Sequence, residues 1–290
     1  MYRLALMLPL FLIAMSALAL ADASLPRWDE AAEQRFDADQ RERIGRAYAE
    51  EVQDHAEAIR WFRSVADDES PTALAYMGWF REHGLGTSQD GNKAVVWYER
   101  AVAAGAEPYI LHLAWMHLEG RLVARDRETA ERWFHEGIER GMPQAKLAYG
   151  SVLYADLLGS GVEDRTAVGT RAERLLLSAL EDGEFAATRF LARMYLDGTG
   201  VEQDIDRGLN TVRLGAEAGD AAMQALLANI LAEGRLLEKD LTRAHTWALI
   251  AAEGGDESAE SLLTTLDEYL DDRETLQSRE AAARWSADNR

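Results

Sequence analysis

The chain contains no cysteine, and only 5 of its 290 residues are proline. Without cysteine it cannot form a disulfide bond, so its stability must come from side-chain packing. The lack of cysteine also excludes the lipid attachment of a bacterial lipoprotein, which requires a cysteine after the signal sequence. Because prolines are few and alanine and leucine are abundant, the composition favours helices.

Basic residues are also scarce. The chain has 31 lysines and arginines against 51 aspartates and glutamates, which gives a formal net charge of −20. A chain of this charge repels nucleic acid and anionic membrane surfaces, so we expect neither as a partner. Hydrophobic residues make up 48% of the sequence and aromatic residues 8%, which is typical of a folded soluble protein rather than a disordered one.

The amino terminus resembles an export signal. Arg3 precedes an apolar run from Leu4 to Leu20, and Ala19-Leu20-Ala21 matches the small-residue pattern that signal peptidase cleaves. Residues 1–21 are therefore predicted to be a cleavable signal peptide, with Ala17-Leu18-Ala19 as an alternative cleavage site. The other interpretation is an uncleaved membrane anchor, but the run is short for a span. Export without disulfide bonds favours the bacterial periplasm, and no membrane-spanning segment is expected after cleavage.

Residues of several types recur at intervals of 36 positions. The residues that keep this interval are Trp61, Trp97 and Trp133; Asp54, Asp90 and Asp126; Asp204 and Asp240; Gly105 and Gly141; and Gly183, Gly219 and Gly255. Because independent residue types share one register, the sequence predicts tandem copies of one structural unit. The predicted full copies, which follow a shorter first copy ending at Ser70, are 71–106, 107–142, 143–184, 185–220 and 221–256.

Each copy is predicted to form two helices. In residues 71–106, apolar residues recur at helical spacing on both sides of Gly84-Leu85-Gly86, which breaks the helix. Asp90 is placed to cap the second helix, and the small Gly78 and Ala94 would let the paired helices approach closely. One pair cannot bury its apolar face alone, but stacked pairs can. The sequence therefore predicts an all-α fold, a right-handed α-solenoid of about six helix–turn–helix repeats.

Two regions depart from the regular copy. The copy at 143–184 has six more residues than its neighbours, and the glycines within Leu157–Thr170 place them in its inter-helix loop. Residues 257–290 leave the repeat pattern and are predicted to form a C-terminal helical cap. The expected organisation is thus a lead-in at 22–37, a repeat solenoid at 38–256 and the cap.

One copy carries a recognisable motif. Leu191-Ala192-x-x-Tyr195-x-x-Gly198-x-Gly200-Val201-x-x-Asp204, followed by a helix that closes on Gly219, resembles the Sel-one-like repeats, which are related to the tetratricopeptide repeat. The segments from Met77-Gly78 to Gly105 and from Leu113-Ala114 to Gly141 resemble the same unit, and the resemblance covers about residues 40–256. It implies a helical repeat fold and a role as an adaptor or scaffold for protein complexes, in bacteria often at the envelope. Some family members are cysteine-rich and disulfide-linked, which this chain is not.

Motifs that carry catalysis or cofactor binding are missing. The sequence has no P-loop, no HExxH, no GxSxG and no dinucleotide-binding fingerprint after a strand. Gly198-Thr199-Gly200 is interpreted as an inter-helix turn, because the same turn recurs at Gly84-Leu85-Gly86. His112 and His117 lie five residues apart and do not share a helix face, and only folding could bring His135 near them, so no metal site is predicted. We expect no cofactor and no enzymatic activity.

The first helix of each copy should line the concave surface of such a stack. One position on it, two residues after the inward Leu or Met, is occupied in successive copies by Arg46, Trp79, Trp115, Ser151, Arg193 and Asn229. Tryptophan and arginine are frequent in interface hot spots, and Arg189 lies one turn before Arg193. The candidate partner-binding groove therefore consists of Arg46, Trp79, Trp115, Arg189, Arg193 and Asn229.

The alternative for Trp79 and Trp115 is a place in the solenoid core, and the sequence favours neither position. The other repeat tryptophans, which hold the junctions between copies, are expected in the core: Trp61, Trp97, Trp133 and Trp247.

The leading functional hypothesis is a non-enzymatic scaffold or adaptor of the periplasm that binds a peptide or protein in the groove. The alternative is an envelope polysaccharide-binding or assembly factor, because tryptophan faces also stack on sugar rings. A cell-wall hydrolase with paired carboxylates is a third hypothesis, but no acid pair recurs in a suitable setting. Neither the partner nor the oligomeric state follows from the sequence.

Overall fold

The computed structural model describes residues 25–289, and the predicted signal peptide lies outside this range. All regular elements between these residues are helical, without a strand. The described chain divides into two compact units, unit 1 up to Arg127 and unit 2 from Glu128 onward. Among these helices, none has the length and apolar character needed to span a bilayer.

Unit 1 is a succession of short helices. Their bounds are α1 Glu30–Arg35, α2 Ala38–Ala47, α3 His55–Ala66, α4 Pro71–His83, α5 Gly91–Ala103 and α6 Pro108–Glu119. A turn of π-helix, Tyr48–Val52, continues α2. The pairs α2/α3 and α4/α5 pack closely, and each second helix also contacts the first helix of the next pair. This is the packing expected of stacked helix pairs.

Unit 2 continues the same pattern and ends in two further helices. The bounds are α7 Arg127–Glu139, α8 Pro143–Leu158, α9 Arg165–Glu181, α10 Thr188–Asp197, α11 Ile205–Glu217, α12 Ala221–Glu233, α13 Leu241–Glu253, α14 Glu257–Leu266 and α15 Asp272–Asp288. The pairs α8/α9, α10/α11 and α12/α13 pack in succession, and α14 and α15 both pack on α13. The predicted all-α repeat fold with a C-terminal helical cap is confirmed.

The recurring aspartates and glycines begin and end these helices. The side chain of Asp90 accepts a hydrogen bond from the backbone N–H of Lys93 at 3.0 Å, and Asp54, Asp204 and Asp240 cap their helices in the same way. The first helices α4, α6, α10 and α12 each end at a glycine with φ between 69° and 72°. This left-handed conformation suits glycine because it has no Cβ. The 36-residue register therefore reflects local backbone requirements.

Small residues set the distance between paired helices. A Cβ added to Gly78 of α4 would lie 2.6 Å from the ring of Tyr98 on α5, and one added to Gly150 of α8 would lie 2.8 Å from Leu176 on α9. Ala94, the other small residue expected at this contact, is fully buried. The close approach predicted from Gly78 and Ala94 is confirmed.

The position predicted for the six extra residues is wrong. They lengthen helices instead of the loop: α8 has 16 residues and α9 has 17, against 13 in α4. The linker between them spans only residues 159–164. Leu157 remains buried at the end of α8, and Gly169 of α9 packs against the backbone of Gly200 in the next pair. Buried contacts at both ends therefore keep this segment helical despite its glycines.

The repeat tryptophans differ in burial. Trp61 is fully buried, as expected for a core residue. Trp97, Trp133 and Trp247 are only partly buried, although Trp97 and Trp247 pack against the cores of their units. The indole ring of Trp247 packs edge to face against that of Trp285, with ring centroids 6.0 Å apart. In addition to the core of its unit, Trp247 therefore contacts the C-terminal cap.

Candidate partner-binding surface

The first helices of both units carry a stripe of residues that the second helices do not cover. In unit 1 this stripe contains no buried residue, and we call it the unit-1 face: Asp39, Arg43, Arg46 and Glu50; Thr72, Tyr76, Trp79 and His83 of α4; and Pro108, His112, Trp115 and Glu119 of α6. The corresponding unit-2 face consists of Gln144, Ala148, Ser151 and Ala155 of α8; Ala186, Phe190, Arg193 and Asp197; and Ala222, Leu226, Asn229 and Glu233 of α12.

Three of the predicted groove residues lie in each unit. Arg46, Trp79 and Trp115 belong to the unit-1 face, and Arg193 and Asn229 belong to the unit-2 face. Arg189 lies on α10, next to the unit-2 face but not in its stripe.

Trp79 is half-buried and has contacts on both sides. It packs against the core of unit 1, and its ring lies 5.3 Å from that of Phe80 in an edge-to-face arrangement. Towards the unit-1 face, the ring of His83 lies 5.2 Å away, and that of His55 from α3 lies 6.2 Å away. Trp79 therefore belongs partly to the core and partly to the surface. Trp115 has the same intermediate burial.

Polar contacts fix the edge of the unit-1 face between α2 and α4. Arg46 forms an ion pair with Glu50, with 3.6 Å between Nε and Oε1, and the Tyr76 hydroxyl donates a hydrogen bond to the same carboxylate. The ring of Tyr76 stacks on buried Phe62 with centroids 4.4 Å apart. Burial and the hydrogen bond to Glu50 raise the pKa of Tyr76, so its hydroxyl stays a donor. This corner is thus held in a defined geometry.

A buried carboxylate that sequence reasoning missed lies beneath the other end of this face. Glu82 of α4 is 4% exposed. Its Oε2 accepts hydrogen bonds from the Tyr98 hydroxyl and from His112 Nε2, both at 2.7 Å, and Arg121 lies 3.2 Å from Oε1. Burial opposes ionisation, but the hydrogen bond and charge interaction with His112, the hydrogen bond from Tyr98 and the charge of Arg121 outweigh it and lower the pKa of Glu82 to about 2. The group is therefore a carboxylate at neutral pH.

The ionised carboxylate determines the tautomer of His112. A carboxylate can only accept hydrogen bonds, so Nε2 of His112 must carry the proton. Within residues 25–289, His112 makes no hydrogen bond through its other ring nitrogen, Nδ1. Nδ1 is therefore left for another partner, on a ring that a buried charge holds in place.

One signal could have revealed this network in the sequence. The residues at the position of Glu82 in the other copies are all uncharged: Ala49, Leu118, Tyr154, Leu196 and Ala232. A single charged residue at a core position of a repeat indicates a local interaction. Its partners, at positions 98, 112 and 121, become neighbours only through folding.

The unit-2 face offers less to a partner. Arg189 Nε lies 2.6 Å from Oδ2 of Asp220, the residue that caps α12, so its charge joins α10 to the start of α12 instead of extending a basic spot. The amide of Asn229 donates to the carbonyl of Ala225 in its own helix at 2.9 Å. Arg193 is exposed. Phe190 is the single aromatic residue in this stripe.

Unit 2 also contains a serine, a histidine and an aspartate in contact. His245 Nδ1 lies 2.6 Å from Ser278 Oγ, and His245 Nε2 lies 3.2 Å from Asp267 Oδ1. These are the residue types of a hydrolase triad, but Ser278 is completely buried and a nucleophile must reach its substrate. The arrangement therefore supports a structural role. Over the described range, no three histidine, aspartate or glutamate side chains come close enough to hold a metal ion.

Comparison with protein-family models matches the Sel1 repeat at residues 46–69, 71–105, 110–142, 186–220 and 221–256. The copy with the lengthened helices is not among the matched segments, although α8 and α9 form the same kind of pair. A search of curated proteins found no significant match.

Two solved structures are similar. The Sel1 repeat protein from Oxalobacter formigenes is 24% identical, with 85% of this chain and 98% of that chain covered and a TM-score of 0.60, which shows the fold alone. A protective antigen of uropathogenic Escherichia coli strains, which displays an SLR fold, is 18% identical, with 88% of this chain and 62% of that chain covered and a TM-score of 0.44. Because the family model matches more than half of its residues, the chain belongs to the Sel1 repeat family.

Proposed function

We propose that the protein is a periplasmic scaffold or adaptor without enzymatic activity, and that it binds a peptide or protein segment on the unit-1 face. Sel1 repeat proteins are generally protein-interaction scaffolds and are typically not catalytic. The observation that carries the choice of surface is the pair of partly exposed tryptophans, Trp79 and Trp115, at equivalent positions of consecutive first helices.

The chemistry of this face suits a polypeptide. Partly exposed indole rings bury a large apolar area against a partner at low cost in side-chain entropy. His112 adds a ring nitrogen, Nδ1, that can form a hydrogen bond with a polar group of the bound segment. The Arg46–Glu50 pair at the edge is exposed and contributes to selectivity more than to affinity.

Site-specific photo-crosslinking tests the surface. A photoreactive amino acid replaces His83, which is exposed beside Trp79, or Glu99, which is exposed on the second helix α5. We expect one crosslinked partner at position 83 and none at position 99. Trp79→Ala should remove that crosslink, because loss of a tryptophan anchor weakens binding by about 2 kcal/mol or more.

The test must distinguish loss of binding from loss of folding in Trp79→Ala, because Trp79 also packs on the core. Trp97→Ala is the matched control, since Trp97 is also half-buried and packs on the same core but lies on α5. We expect similar thermal melts for the two variants, with the crosslink lost only in Trp79→Ala. Equal adducts at positions 83 and 99, or loss of the crosslink in both variants, would contradict the proposed surface.

An envelope polysaccharide is the second candidate ligand for the same face, favoured by the partly exposed indole rings of Trp79 and Trp115. A glycan array distinguishes the two, because a peptide-binding face gives no hits that depend on Trp79.

Export to the periplasm is part of the proposal and is supported by the apolar run Leu4–Leu20 and the small residues that follow it. Intact-mass measurement of the protein recovered from the periplasm should show a chain that begins after Ala19 or Ala21. A mass that retains Met1 would contradict cleavage.

A further inference from the structure

One imidazole joins the last helix pair to both helices of the cap. His245 on α13 is 1% exposed, and it is the only buried histidine among residues 25–289. Its Nδ1 contacts Ser278 Oγ of α15 at 2.6 Å. Its Nε2 contacts Oδ1 of Asp267, which ends α14, at 3.2 Å. The last repeat therefore holds the cap through a titratable group.

The hydrogen bonds at this junction fit both protonation states of the imidazole. The Asp267 carboxylate accepts from Nε2, which therefore carries a proton in either state. The Ser278 hydroxyl can donate to an unprotonated Nδ1, or it can accept from a protonated Nδ1 and donate to the carbonyl oxygen of Thr275 in its own helix at 2.9 Å. The hydrogen bonds therefore do not prevent protonation.

A positive charge on the His245 imidazole destabilises this junction. Burial lowers the pKa of His245, Asp267 opposes this effect, and Arg279 of α15 adds to it. Asp267 is half-exposed, so water weakens its attraction for an imidazolium. No charged group of α12 or of α13 itself acts on the imidazole among the described residues. In the folded cap the imidazole is therefore neutral at neutral pH.

We propose that His245 is an acid-sensitive latch, whose protonation releases α14 and α15 from the last repeat. The sign follows from linkage: the folded state resists a proton that the unfolded state accepts near pH 6.5. The attachment of the cap is thus complete above about pH 6.5 and weakens as the pH falls below it. Release would uncover apolar side chains of α13, including Trp247, which packs against Trp285 of the cap.

Hydrogen exchange of the full chain tests the latch. Amides of α14 and α15 are compared at pH 7.5 and pH 5, each corrected for intrinsic exchange, with α10 and α11 as internal reference. We expect protection of the cap to fall by about tenfold at pH 5 while the reference changes little. In His245→Gln this loss should vanish, because the amide can bridge Ser278 and Asp267 but cannot titrate. His83→Gln, at an exposed histidine, should keep the loss.

Equal cap protection at both pH values, or the same loss in His245→Gln as in the unmodified chain, overturns the proposal. If the cap amides of His245→Gln are not protected at pH 7.5, the Asp267→Asn variant tests the proposal instead. Removing the carboxylate leaves the imidazolium without its countercharge, so the acid-induced loss must become larger. An unchanged loss in Asp267→Asn overturns the latch.

Discussion

The two units build the same helix pairs but present different first-helix faces. The unit-1 face carries Tyr76, Trp79, His112 and Trp115, whereas the stripe of unit 2 has Phe190 as its aromatic residue and otherwise small, aliphatic, amide or charged side chains. The buried positions do not differ in this way, since a small residue faces the second helix at both Gly78 and Gly150. Packing constrains the core of each repeat, while the uncovered stripe is free to diverge, and this difference is the reason for proposing the unit-1 face as the binding surface.

Glu82 is a buried carboxylate at a repeat position where unit 2 has only uncharged residues, and removing its charge should have the largest effect. Glu82→Ala leaves Arg121, His112 and the Tyr98 hydroxyl without their acceptor, so we expect unit 1 to lose about 3 kcal/mol of unfolding free energy. Leu196→Ala, at the equivalent position of unit 2, leaves no charge unpaired and should cost less. Chemical denaturation monitored by hydrogen exchange of α4 and α10 measures both.

The pH dependence of the stability of unit 1 is a second test of the Glu82 carboxylate. The pKa of Glu82 is lowered to about 2 from an ordinary value of 4.5, so its contribution is complete above pH 4.5 and is lost as the pH falls towards 2. Protection of α4 and α5 should decline over this range. In Glu82→Gln the decline should be smaller, and the part that remains should include the α5 cap Asp90, whose pKa is lowered by its hydrogen bonds from Lys93. If the variant and the unmodified chain lose protection equally, the carboxylate does not stabilise unit 1.

Sequence reasoning predicted the features that depend on local backbone requirements and missed those that depend on folding. Asp90 caps the start of one helix and Gly84 ends another in the left-handed conformation, so the spacing of such residues predicted the helix pairs. The contact between Arg189 and Asp220 and the burial of Leu157 depend on how the helices stack, which no local pattern encodes. For the same reason the sequence identified Trp79 but could not assign it to the core or the surface.

Replacing the glycine between paired helices with alanine should destabilise unit 1 more than unit 2. In Gly78→Ala the new Cβ meets the ring of Tyr98 at 2.6 Å, and a buried ring cannot move aside. We expect a loss of about 2 kcal/mol, reduced by the better helix propensity of alanine. Gly150→Ala meets the side chain of Leu176 at 2.8 Å, which is equally buried but can change rotamer, so the loss should be about half as large. Thermal melts of the two variants compare them, and a greater loss in Gly150→Ala would contradict this account.

The smallest effect concerns two loops that lack the second glycine of the motif. Leu122 in unit 1 adopts φ of 62°, a left-handed conformation that costs a leucine about 1 kcal/mol because of its Cβ. Its carbonyl lies close to Gly91 of the preceding pair. Leu236, its equivalent in unit 2, does not have a positive φ. Leu122→Gly should therefore raise the unfolding free energy by about 0.5 kcal/mol, because relief of strain exceeds the entropy cost of glycine. Leu236→Gly relieves no strain and should lower it by a similar amount, so the two substitutions should shift the melting temperature in opposite directions.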